Sequence, residues 1–89
     1  MQKTYLEVTF RHGRPVAAYL YLPREASQKS HKTVEAAPGI LVDYGLEGEP
    51  IGLELTSPQN VTLDALNAVL VRIGQPELSS EDLAPLQQA

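Results

Sequence analysis

Residues 39–55, GILVDYGLEGEPIGLEL, hold two apolar alternating runs around a glycine-rich acidic turn. Ile40, Val42 and Tyr44 alternate with Leu41 and Asp43; Ile51, Leu53 and Leu55 alternate with Gly52 and Glu54. A period of two places each set on its own side of a strand, so the stretch predicts a β-hairpin with one aliphatic face. Gly45 and Gly48 are expected to supply the positive φ that a tight reversal demands. If Tyr44 faces Ile51 across the turn, Asp43 stands opposite Gly52 and Leu41 opposite Glu54. Asp43 and Glu54 then lie diagonally on one face.

The same period appears earlier in the chain. In YLEVTF, residues 5–10, Leu6, Val8 and Phe10 share a face opposite Tyr5, Glu7 and Thr9. RHGRP turns the chain, with Gly13 able to take positive φ and Pro15 fixing the exit. VAAYLYL, residues 16–22, resumes as a strand with Val16, Ala18, Leu20 and Leu22 on one side and Ala17, Tyr19 and Tyr21 on the other. A polar, serine-containing segment, PREASQKSHK, is the longest loop and the one expected to move. A short strand, TVEAA, leads from it into the turn at Pro38-Gly39.

After Ser57-Pro58 the period lengthens. Leu63, Leu66, Leu70 and Ile73 fall on one stripe of a helix over 62–74, and Val69 broadens it. Thr62 is its N-cap, Asp64 and Arg72 suit its two dipole ends, and Gly74 and Pro76 stop it. Ser79 with Asp82 signals a second cap, but Pro85 disfavours a long helix, so residues 79–89 are expected to fray.

The fold class is therefore α+β, one domain over 1–89: a small, mostly antiparallel sheet of two hairpins over 5–57, with one C-terminal helix packed on one face. The expected core sets Leu6, Val8, Phe10, Ala18, Leu20, Leu22, Ile40, Val42, Ile51, Leu53 and Leu55 against the helical stripe.

The 89 residues leave no room for a second core, and 43% hydrophobic with 20% charged residues is ordinary for a folded domain. With no cysteine, thiolate chemistry and cysteine-ligated metals are excluded, and a reducing cytoplasm fits. MQKTYLEVTF lacks the apolar run of a signal peptide, and no stretch is long and apolar enough for a membrane span. Net charge is −4, divided as +2 over residues 1–45 and −6 over residues 46–89. That balance argues against non-specific nucleic-acid binding, which depends on neutralising phosphates.

The central stretch, with TVEAA before it and VAAYLYL upstream, resembles a small bacterial family catalogued as domain of unknown function twenty-two eighty-three. Gly39, Asp43, Tyr44, Gly48, Gly52 and Glu54 fill the places of its pattern. The resemblance covers about residues 5–57. It implies a small α+β module without established activity, and an antitoxin-like role, since some members lie beside small toxin-like partners. Arg11, His12, Gly13 and Arg14 stand where family members commonly carry an acidic turn.

Three functional readings remain open at this level. Asp43 and Glu54, as paired carboxylates, suit general acid/base work or a metal in a small hydrolytic domain. The same two residues suit a solvated sheet face, for no nucleophile, metal-ligand spacing or phosphate loop accompanies them. His12 and His31 lie at no metal-ligand spacing. The sequence thus assigns no catalytic residue, metal or cofactor. Arg11, Arg14, Lys29 and Lys32, with His31, form a basic rim if the first turn and the long loop are neighbours, and Tyr19 and Tyr21 would then stack the bases of a single-stranded nucleic acid. Last, Tyr5, Tyr19 and Tyr21 lie opposite the helix-covered side beside Asp43 and Glu54, where tyrosine's apolar body and polar tip suit an interface. The favoured expectation is non-catalytic binding of a protein partner or a second copy through this face.

Overall fold

The computed structural model describes residues 4–23 and 29–86. Residues 24–28 of the long loop expected to move, and the last three residues of the tail expected to fray, lie outside them. Among the described residues five strands, β1 (Tyr5–Arg11), β2 (Arg14–Tyr21), β3 (Lys32–Ala37), β4 (Ile40–Tyr44) and β5 (Pro50–Leu55), precede one helix, α1 (Leu63–Arg72). Single 3-10 turns occupy Pro58–Asn60 and Ala84–Leu86.

All strand pairs are antiparallel, in the order β1-β2-β5-β4-β3. The expected pair of hairpins is thus extended: β3 joins β4 and β5 in a three-stranded meander, and β2 pairs with β5. Ile51, Leu53 and Leu55 are fully buried, which explains why β5 takes the middle of the sheet, where both neighbours cover it.

The turns follow from local chemistry. His12 and Gly13 sit at φ of 54° and 78° between paired Arg11 and Arg14, so both central residues of this two-residue turn are left-handed. In the β4–β5 turn Gly48 has a φ of 85°, whereas Gly45 keeps an ordinary φ; the expectation for Gly45 is corrected. Tyr44 pairs with Pro50 instead of Ile51, because the register shifts between Asp43 and Tyr44. Beyond that shift, Asp43 faces Gly52 and Leu41 faces Glu54 as expected.

Helix α1 forms where its signals lie. Thr62 accepts a hydrogen bond from the Ala65 amide at 3.1 Å, and Asp64 and Arg72 occupy the first and last turns. At its end the amides of Gly74 and Gln75 donate to the carbonyls of Val71 and Leu70, with Gly74 left-handed at φ 80°. This is the glycine-terminated closure that satisfies the last carbonyls of a helix. Arg72 also donates to the carbonyl of Ala36, at 2.9 Å, tying the helix to the bulged end of β3.

The core lies between one sheet face and α1. Ala18, Leu20, Leu22, Ile40, Val42, Leu53 and Leu55 meet Leu66, Val69 and Leu70 there, and Leu6, Val8, Leu63 and Ile73 pack around them half-buried. Two corrections apply. Phe10, expected in the core, is 51% exposed, because the β1–β2 register slips between Thr9 and Phe10 near the tip of the hairpin. The tail is also part of the core: Leu83 and Leu86 are buried. Asn67 fixes it by exchanging two hydrogen bonds with the backbone of Leu78, 3.0 and 2.8 Å. Ser79 and Asp82 then cap the turn reciprocally.

Candidate interaction surface

The registers assemble two rows of side chains across the face that α1 leaves free. Tyr5, Tyr21, Gly52, Asp43 and Thr33 are successive cross-strand neighbours from β1 to β3. Glu7, Tyr19, Glu54, Leu41 and Glu35 form the adjacent row. Every residue in these rows except Gly52 is exposed or half-buried, so no described segment covers them.

Gly52 organises the centre. A Cβ at this position would run into the ring of Tyr19. Without one, Tyr19 leans diagonally over β5 and donates its hydroxyl to Asp43 Oδ2 at 2.7 Å. The Thr33 hydroxyl donates to Asp43 Oδ1 at 2.6 Å. Asp43 therefore staples β2 to β3 over the intervening strands, through two charge-assisted hydrogen bonds. Tyr21 makes the matching link on the other side: its hydroxyl donates to Glu7 Oε1 at 3.0 Å. The rings lock together as well. Tyr5 and Tyr21 stack with centroids 4.5 Å apart, and Tyr19 meets Tyr21 edge-on at 4.7 Å.

The residues singled out from the sequence divide accordingly. Tyr5, Tyr19, Tyr21, Asp43 and Glu54 are brought together on one surface. Asp43 and Glu54 are diagonal neighbours, about 7 Å apart by sheet geometry, and Asp43 has both oxygens occupied. Among the described residues no group of three or more His, Asp or Glu side chains is placed to hold a metal ion. The basic rim does not assemble: Arg11 and Arg14 flank the β1–β2 turn, whereas Lys29 and Lys32 lie at the other end of the sheet, where Lys32 pairs with Tyr44. The condition for that rim, adjacency of the first turn and the long loop, is not met.

Thr33 and Glu35 join the surface without having been singled out. The alternation of Val34 with these two residues is the signal that places them, but in a six-residue edge strand it is short. Comparison with protein-family models, curated proteins and solved structures finds no match.

Proposed function

We propose that the protein is a non-catalytic protein-interaction domain that binds its partner through the tyrosine- and carboxylate-bearing face of the sheet. The observation that carries this reading is the contrast in cover: α1 and the tail both pack on one side, and the other side presents three interlocked tyrosines without a described segment over them. Interfaces favour such side chains, because a ring already held in place loses little entropy on binding. An antitoxin-like role, implied by the family resemblance of the central hairpin, is one specific form of this reading. The hydrolytic alternative is weaker, since Asp43 spends both oxygens on structural hydrogen bonds. Nucleic-acid binding is weaker too, since Tyr19 and Tyr21 stand among Glu7, Asp43 and Glu54 and not among cations.

The test is a comparative capture from native lysate with three forms of the protein: wild type, Tyr5→Ser/Glu54→Lys, and Val71→Ser on the outer side of α1. The reading predicts a protein retained by wild type and Val71→Ser and lost by the double variant. Equal retention by all three would overturn it.

A further inference from the structure

We propose that the partner presents a cationic, extended segment to this face, with lysine or arginine side chains seated at Glu7, Glu54 and Glu35. The inference rests on the interaction reading above and specifies the chemistry of the partner.

Charge is the first argument. The two rows hold Glu7, Glu35, Asp43 and Glu54 and not one lysine or arginine. Glu35 and Glu54 take part in no side-chain hydrogen bond or ion pair among the described residues, so their carboxylates remain available as acceptors. Asp43, already holding two donors, adds to the negative potential without needing a further partner. A second copy docked face to face would set four carboxylates against four, and like charges brought together at an interface oppose association. Complementarity therefore selects a positively charged partner over the protein's own copy, and repels a nucleic acid.

Spacing is the second argument. Glu7, Glu54 and Glu35 occupy alternate strands of one row, with Tyr19 and Leu41 between them. Two interstrand steps measure about 9.5 Å. A polyproline-type extended chain lying across the strands returns every third side chain to the same side after about 9.3 Å. Cations at every third residue thus meet the three glutamates in step, and the residues between them lie against Tyr19 and Leu41. The stacked pair of Tyr5, which is 44% exposed, and Tyr21 supplies ring faces beside Glu7, where a guanidinium gains cation–π as well as ionic attraction.

The experiment is fluorescence anisotropy with a labelled peptide carrying arginine at every third position between prolines, against its glutamate counterpart and a single-stranded RNA, at low and high salt. The arginine peptide is expected to bind saturably and to be released by salt. Glu7→Gln/Glu54→Gln should weaken it by about three- to ten-fold, the range expected for two partly exposed ion pairs. Glu77→Gln/Glu81→Gln, which removes the same charge from the exposed tail, should change it by less than about two-fold. Circular dichroism establishes that both variants fold. Absence of binding, equal weakening by both double variants, or preference for the glutamate peptide or the RNA would each overturn the inference. A lysate partner that depends on Tyr5 and Glu54 but withstands competition by the arginine peptide would overturn it too, while leaving the interaction reading in place.

Discussion

The two faces of the sheet are built from the same five strands by opposite means. On the covered face, aliphatic side chains meet α1 and the tail, and no polar or charged residue is buried among the described residues. Order there comes from the removal of apolar area from water and from close packing, forces without direction that tolerate no gap. On the open face, order comes from directed contacts. A glycine makes room for a ring, the ring's hydroxyl reaches a carboxylate two strands away, and neighbouring rings stack. A surface organised in this way stays in one arrangement while wet. The covered face therefore sets stability, and the open face holds a fixed shape through directed contacts.

That contrast predicts an ordered series of substitutions. Leu53→Ala, at a fully buried position in the central strand, should cost about 3 kcal/mol through lost burial and a cavity. Thermal or denaturant unfolding would show it as the largest loss of the set. Gly52→Ala should cost about 2 kcal/mol, because a methyl group there forces the Tyr19 ring aside. In the double variant with Tyr19→Ala, most of the glycine's effect should disappear; strict additivity would mean that the ring is not the obstacle. Tyr19→Phe should cost about 1 kcal/mol, the net worth of a hydrogen bond to a charged acceptor on a half-exposed face. Glu54→Gln should stay within about 0.5 kcal/mol of wild type, since it removes no contact within the fold. A stability loss at Glu54 as large as that at Leu53 would erase the distinction between the faces.

Most of the sheet and all of α1 were legible in the sequence, because their signals are periodic. The alternation through residues 40–44 and 51–55 placed Asp43 opposite Gly52, and the stripe from Leu63 to Ile73 placed the helix with its cap at Thr62. What escaped is aperiodic. Leu83 and Leu86 make a single three-residue step and Leu78 stands outside it, too short a pattern to mark their role in the core, and Pro85, which forbids a long helix, allows the single 3-10 turn that buries Leu86. Register shifts at Thr9/Phe10 and Asp43/Tyr44 exposed Phe10 and re-paired Tyr44, since one extra residue in a ladder changes which side chains meet. The candidate surface was legible one strand at a time. Its assembly was not, because the order β1-β2-β5-β4-β3 depends on which strands meet after a long connection. Only that order brings Tyr19 within reach of Asp43.

α1 and the tail cover one side of the sheet, whereas no described segment covers the tyrosine side. Nuclear magnetic resonance with a soluble paramagnetic agent measures this directly. The account predicts strong relaxation enhancement at the ring protons of Tyr5 and Tyr21 and almost none at the methyl groups of Val42, Leu53 and Leu83. Tyrosine rings protected as well as those methyl groups would contradict it.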